Sequence, residues 1–337
     1  MGSRCRIRAT WLAVLLALAI NGWTIAEGDR ASVAADAAWT ASVGRAAAVE
    51  RASPVVVAVR ALGAAREEQG SGILVDRDGL VLTACHVVRG AQRIVVRMAN
   101  GAEYRATLRG IDRASDLALL ELASGGRKFP VARFAKSATA RVGESVVALG
   151  CPFGLAHSAT SGILSAKGRR NVVTDNVVPL LQTDAAINPG SSGGALINLR
   201  GEVLGMINAI LTSSGRDLGI GFAVPADEIV RVLPALRENK RVVRPWLGVH
   251  VKTAAGNEAG VEVLSIVPGG PAARSKLRTG DRILRFAGRR IESVAEMRGM
   301  LRVLAQGDRI EVEFVRSDKA ERTSLLIGKK AKNPTKR

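Results

Sequence analysis

Residue types that can build a hydrolytic nucleophile occur in order along this 337-residue chain: His86, Asp116, and the serine pair Ser191-Ser192. A serine hydroxyl attacks a carbonyl only when an adjacent base takes its proton, and that base needs an acid to orient it. The serines lie in Asn188-Pro189-Gly190-Ser191-Ser192-Gly193-Gly194, directly before the apolar run Ala195-Leu196-Ile197. Glycine reaches backbone angles closed to other residues. The N–H groups of Gly190 and Ser192 can therefore converge on one point and hold an oxyanion. Read alone, the stretch serves equally well as a Gly/Ser turn between two strands.

The chain offers three imidazoles. His157 sits in a Gly/Ser/Ala loop, and His250 belongs to the C-terminal part. His86 ends the apolar run Leu80 to Cys85, at a strand-to-helix corner able to hold a ring rigidly. Asp116 opens the apolar run Leu117–Leu120. It is expected to be partly buried, and a buried carboxylate needs partners. Asp112 competes for the role from farther outside that run. With three histidines and no C-x-x-C, a metal site is not expected, and no cofactor is expected. Cys85 and Cys151 read as small buried hydrophobes, the usual habit of free cysteine, more readily than as a disulfide.

The elements that must position these residues are mostly strands. Val and Gly are frequent, and Pro, Gly and Asp turn signals recur. Pro54–Val59, Gly72–Val75, Leu80–Thr83, Arg93–Met98, Glu103–Ile111 and Asp116–Leu122 read as a first set. Asp78-Gly79 and Asn100-Gly101 supply hairpin turns. Ala64–Gln69 reads as a short polar loop. Glu144–Leu149, Ser161–Ala166, Val177–Gln182, Ala195–Asn198, Val203–Asn208 and Gly219–Val224 form a second set. Strands of this length without long intervening helices indicate paired antiparallel barrels or a sandwich. A helix follows over Pro225–Asn239, with Ile229, Val232, Leu233 and Leu236 at helical spacing. From Pro245 a smaller unit begins, with strands at Leu247–Val251, Val261–Ile266, Asp281–Phe286 and Ile310–Val315 and helical pieces at Pro271–Lys276 and Val294–Leu304.

Residues 1–30 are of another kind. Arg4, Arg6 and Arg8 precede the apolar run Trp11–Ile20, and small residues follow. That is the pattern of a secretory signal peptide, with an uncleaved membrane anchor as the alternative. Either form takes the body out of the cytoplasm, to the periplasm or cell envelope. Residues 31–45 are Ala-rich and read as a linker, with a short helix from residue 46. The net charge is +19, with 21 Lys+Arg against 10 Asp+Glu in residues 241–337. Such a chain can meet anionic polymers or lipid. Aromatic residues are only 3%, too few for a base-stacking platform, so nucleic acid is not expected as a partner.

Taken together, Gly70-Ser71-Gly72-Ile73, Leu82-Thr83-Ala84-Cys85-His86-Val87-Val88, Asp116-Leu117-Ala118-Leu119-Leu120, Leu149-Gly150-Cys151-Pro152-Phe153-Gly154 and Gln182 to Leu196 resemble the HtrA/Deg family of trypsin-like serine proteases. Gly219-Ile220-Gly221-Phe222-Ala223-Val224-Pro225 matches too, so the resemblance runs from about Val55 to Val315. It implies a mainly β fold: a two-barrel, chymotrypsin-like protease domain over 46–239, then a small α+β PDZ domain over 245–328 and a basic tail, 329–337. It implies ATP-independent cleavage of unfolded or damaged proteins, and trimers as the usual minimal unit. By position, His86 becomes the general base, Asp116 its orienting acid and Ser192 the nucleophile. Ser191 fills the variable place of Gly-x-Ser-Gly-Gly. Gly190 and Ser192 supply the oxyanion hole, and Ile187 and Ile210 wall a small apolar pocket suited to residues such as Val, Ala or Leu. Cys85 and Cys151 depart from the family, which commonly has Asn there. The shortness of the Ala64–Gln69 loop favours a plain trimer over cage assembly.

In the C-terminal unit, Trp246-Leu247-Gly248-Val249 resembles the PDZ carboxylate-binding loop. Backbone N–H groups of Leu247, Gly248 and Val249 would cradle a peptide C-terminus while the peptide extends the sheet edge. Two rival readings follow from the same chain: a catalytically silent polypeptide-binding or chaperone protein, and a basic protein held on anionic surfaces through residues 241–337.

Overall fold

A computed structural model describes residues 39–64, 66–151, 157–170, 178–210, 219–238, 242, 244–255, 259–302 and 304–329, without the side chains of residues 209, 210 and 295. The expected signal or anchor and the basic tail beyond residue 329 lie outside the described residues. No described helix is long and apolar enough to cross a membrane. The chain divides into two compact units, Met1–Arg241 and Val242–Arg337.

The first unit holds two closed barrels. Strands β1 (Val56–Leu62), β2 (Glu67–Leu74), β3 (Leu80–Ala84), β4 (Arg93–Arg97), β5 (Glu103–Asp112) and β6 (Leu117–Leu122) pair in the order β1-β2-β3-β6-β5-β4. Strands β7 (Ser145–Gly150), β8 (Ser158–Arg169), β9 (Leu180–Thr183), β10 (Ala195–Asn198), β11 (Val203–Ile210) and β12 (Gly221–Pro225) repeat that order as β7-β8-β9-β12-β11-β10. A closed sheet has no free edge and encloses its own core. Val59, Ile73, Leu82 and Leu119 fill the first barrel, and Leu164, Leu181, Leu196 and Ile207 the second. The choice left open between barrels and a sandwich is thus settled by closure of each sheet on itself.

Several stretches differ from expectation. Helix α1 covers residues 39–52, so the stretch taken for a linker is helical from residue 39. Alanine is the best helix former, and an Ala-rich stretch with a surface to dock on favours helix over linker. Arg51 ties this helix down by donating to the carbonyls of Leu199 and Arg200. In the 64–69 segment, Glu67 to Gln69 already belong to β2, paired with Leu62 to Arg60, so the loop is shorter than expected. Helix α2 (Cys85–Val88) is a single turn after β3. Helix α3 (Ala226–Arg237) starts after Pro225 and buries Ile229, Val232 and Leu236.

The second unit is an antiparallel sheet of β14 (Val249–Thr253), β15 (Val261–Ile266), β16 (Arg282–Phe286), β18 (Arg309–Arg316) and β19 (Lys319–Leu326), with β17 (Arg289–Arg290) paired to β16. A small ribbon joins β13 (Pro245–Trp246) to β20 (Gly328–Lys329). Residues Ala272–Arg274 form a 3-10 turn, and helix α4 is Val294–Arg302. Val263, Ile283, Phe286, Met297, Val312 and Phe314 make the core. Strand β19 was not expected. Its residues are mostly polar, with only Thr323 and Leu325 buried.

Candidate active site

Register brings Asp116 to His86. Ala84 of β3 faces Leu117 of β6, so the next residue on each side, Cys85 and Asp116, meet at the barrel's end. The Cys85 N–H donates to the Asp116 carbonyl at 2.9 Å. Asp116 has φ 55°, the left-handed region that Asp tolerates better than most residues. That twist turns its carboxylate back over α2. Oδ1 accepts the backbone N–H of His86 at 3.0 Å, and Oδ2 sits 2.5 Å from His86 Nδ1. The side chain of Asp116 is 15% exposed and that of His86 is 41% exposed. The acid is thus sheltered while the ring reaches solvent. Asp112 is engaged elsewhere, accepting the Ser115 hydroxyl.

A third group completes the carboxylate's surroundings. Asn208 donates from Nδ2 to Asp116 Oδ2 at 2.7 Å. It is the extra residue of a β-bulge: Ile207 pairs with Ala223, but Ala209 pairs with Phe222. A bulge re-aims a side chain that regular pairing would send elsewhere. Asn208 is 1% exposed, and its Oδ1 has no partner among the described residues. The sequence reading passed over this residue. Its one signal is a polar side chain inside the apolar run Val203–Ile210.

The serine loop links β9 to β10. Ser191 is buried and its hydroxyl is 3.4 Å from the Asn188 N–H. Ser192 is half-buried, and its hydroxyl donates to the Asn208 carbonyl at 3.2 Å. The loop's backbone bonds are selective. Ser191 N–H goes to Asn188, Gly193 N–H to Ile207 and Gly194 N–H to Ser191, all to carbonyls at 2.8–2.9 Å. Among the described residues, the N–H groups of Gly190 and Ser192 are left without a partner. Gly190 holds φ 95°. Gly193 holds φ 89°, and a Cβ there would lie 2.1 Å from the Ser71 carbonyl. No other residue fits.

Burial pushes the thiols of Cys85 and Cys151 up, and the negative charge of Asp116 adds to the effect at Cys85. Both are free and buried. His157 donates from Nε2 to the Val56 carbonyl at 2.7 Å, a structural contact, and His250 is exposed on β14. Ile187 is 2% exposed and packs in the second barrel, where a Cβ on Gly221 would come within 2.4 Å of its Cδ1. Ile210 ends β11, and its side chain lies outside the described residues. No metal-holding group of His, Cys, Asp and Glu occurs among the described residues.

In the second unit, Gly248 takes φ 76°, packed between Gly270, Pro271 and Trp246. The carbonyls of Leu247 and Gly248 accept the N–H groups of Ala272 and Val267. Their own N–H groups carry no partner among the described residues. β14, which starts at Val249, is an edge strand of the sheet, with α4 packed against it.

A double barrel carrying a His–Asp pair and a glycine-held serine, followed by a PDZ-type sheet, defines the chymotrypsin-like fold with an appended PDZ domain. Comparison with known proteins agrees. The family description "trypsin-like peptidase domain" matches residues 70–206, and "PDZ domain" matches residues 245–327. A probable periplasmic serine endoprotease DegP-like of Ectopseudomonas mendocina (strain ymp) is 40% identical over 277 residues, covering 79% of this chain and 58% of that protein. One from Halomonas elongata (strain ATCC 33173 / DSM 2581 / NBRC 15536 / NCIMB 2198 / 1H9) is 37% identical, over 78% of this chain and 57% of its own. The chain thus spans less than three fifths of the length of these relatives. Among solved structures, the HtrA-type protease AlgW with tripeptide superposes with TM-score 0.79 and 33% identity, covering 86% of this chain and 98% of that one. The serine endoprotease from Yersinia pestis does so with TM-score 0.69 and 33% identity, covering 84% and 97%. The chain belongs to the HtrA/Deg family.

Proposed function

We propose that this protein is an exported, ATP-independent serine endopeptidase that cleaves unfolded or damaged polypeptides in the periplasm or cell envelope. The observation that carries the reading is the 2.5 Å contact between His86 Nδ1 and Asp116 Oδ2, linked through Asn208 to a serine loop in which two N–H groups have no partner among the described residues. In the proposed reaction the Ser192 hydroxyl leaves the Asn208 carbonyl for His86 Nε2. Its oxygen then attacks the scissile carbonyl while His86 takes the proton. Asp116 holds the imidazole tautomer and stabilises the imidazolium. The N–H groups of Gly190 and Ser192 receive the oxyanion, a contribution of about 100- to 1,000-fold per donor. His86 then passes the proton to the departing amine, and water, activated by the same ring, releases the acyl group.

Ile187 and Ile210 wall a small apolar pocket, which selects Val, Ala, Leu or similar side chains before the cut. In the PDZ domain the N–H groups of Leu247, Gly248 and Val249 hold a peptide C-terminus, whose chain extends the β14 edge. This captures substrate or signals to the protease. The working unit is a homotrimer, exported by the segment 1–30. No cofactor takes part.

The test is casein digestion by wild type and Ser192→Ala, with and without peptides ending in apolar residues, with the product termini sequenced. The reading expects fragments ending in small apolar residues, faster digestion with peptide, and none from the variant. A variant that digests like wild type contradicts it and leaves the silent binding protein as the better account.

A further inference from the structure

One buried residue of the first barrel bonds to the serine loop, to the segment after β7 and to β3. Ser71 lies in β2 with no exposed surface. Its hydroxyl donates to the Gly190 carbonyl at 2.7 Å and accepts the Cys151 N–H, just past β7, at 2.8 Å. Its own N–H donates to the Ser192 carbonyl at 2.8 Å. Its carbonyl accepts the Thr83 hydroxyl at 2.7 Å. Gly150 makes room for this hydroxyl: a Cβ there would lie 3.1 Å from Ser71 Oγ.

The direction of the bonds is forced. A hydroxyl has one proton to give, and the Cys151 N–H can only donate, so it occupies a lone pair. The single O–H must then point at the Gly190 carbonyl. A trans peptide sends its C=O and N–H to opposite sides. The Gly190–Ser191 peptide is therefore pinned at both ends, by Ser71 Oγ on one side and by the Asn188 carbonyl, which takes the Ser191 N–H, on the other. The Ser192–Gly193 peptide is pinned likewise, between the Ser71 N–H and the Ile207 carbonyl. Between these two planes, the Ser191 carbonyl is taken by the Gly194 N–H. The N–H groups left over among the described residues of the loop are those of Gly190 and Ser192.

We infer that Ser71 is a positioning residue for the oxyanion hole: its hydroxyl, oriented by the Cys151 N–H, sets the Gly190–Ser191 peptide so that the N–H groups of Gly190 and Ser192 face the cleft. The inference rests on the proposed role of Ser192. It ties the geometry of the hole to the seating of the first barrel on the second, through a group that does not titrate.

Ser71→Ala in the full chain tests it, with Ser71→Cys, which keeps a donor at the same position but a larger and weaker one. The expected result for Ala is a fall in kcat of about 10- to 100-fold, the effect of a buried acceptor left unpaired. KM stays within about twofold, since the ground state uses the hole little. Affinity for a peptide boronate, whose tetrahedral adduct fills the hole, falls by the same factor as kcat. The midpoint of the pH–rate profile stays at the wild-type value, because the His86–Asp116 pair is untouched. Ser71→Cys lies between wild type and Ala. An Ala variant with wild-type kcat, a loss confined to KM, or a shifted pH midpoint overturns the inference. Should the Ala variant fail to fold by circular dichroism, a fully active Ser71→Cys overturns it and an intermediate kcat supports it. Activity surviving in Ser192→Ala would instead overturn the nucleophile assignment itself.

Discussion

Asn208 and His86 share one carboxylate oxygen of Asp116: Asn208 Nδ2 donates to the same Oδ2 that faces His86 Nδ1. Its backbone carbonyl meanwhile takes the Ser192 hydroxyl. One bulged residue of the second barrel thus touches Asp116 through its side chain and Ser192 through its main chain. Hydrogen bonds to a charged group contribute about 1.5–3 kcal/mol. Asn208→Ala is expected to lower kcat/KM on a peptide substrate by about 10- to 100-fold. Asn208→Asp should lower it further at neutral pH, because a second carboxylate beside Asp116 competes for the imidazole and disfavours the charged form of its neighbour. Steady-state kinetics of the two variants check this. An Ala variant with wild-type kcat/KM would sink the assignment.

The β2–β3 turn is latched to the end of α3. Asp76 accepts the Asp78 N–H at 2.7 Å and an Arg237 guanidinium N–H at 2.6 Å, while Arg237 also donates to the Val75 carbonyl. The Asp78 N–H, followed by Arg237, holds the Asp76 carboxyl below its ordinary range against the opposing effect of burial. A carboxyl lowered on folding adds stability above its unfolded pKa, and the contribution is lost as pH falls through the folded value. Asp76→Asn should therefore cost about 1 kcal/mol at pH 7, the size of such a partly exposed bond. The gap to wild type should close as the pH drops below about 4. Urea unfolding at pH 7 and pH 3 measures it; an equal gap at both values contradicts the linkage.

The thiols of Cys85 and Cys151 flank the site but are buried and raised. Thiolate, the reactive form, is scarce in such surroundings. Iodoacetamide at pH 7.5 should leave both unlabelled in the native protein and label both after denaturation, as read by peptide mass mapping. Activity should be indifferent to dithiothreitol. Rapid native labelling at Cys85 would reveal a redox-sensitive site instead.

Much of this architecture is written in short-range patterns. Strands β10 and β15 fall where apolar runs meet Gly or polar boundaries, and His86, Asp116 and Ser192 stand out by residue type and order. What escapes is set by long-range geometry. The left-handed φ of Asp116 follows from β3–β6 register, and the aim of Asn208 follows from a bulge. Ser71 reads as one small residue among the glycines of Gly70-Ser71-Gly72 until the fold brings Gly190 and Cys151 to it. Strand β19 is hidden by its polar composition, because a sheet with one face in water needs only alternate residues to be apolar. Helix α1 was obscured because an Ala-rich segment fits both linker and helix until a docking surface exists.

The most direct measurement is fluorophosphonate labelling of the wild-type chain with the modified residue mapped by mass spectrometry, alongside His86→Ala. The reagent forms a bond only with a serine whose base and oxyanion donors are in place. The account predicts a single adduct on Ser192, none on Ser191, and labelling slowed at least a hundredfold in His86→Ala, of the order lost when a positioned base is removed. No adduct on wild type, or an adduct on Ser191, would contradict it.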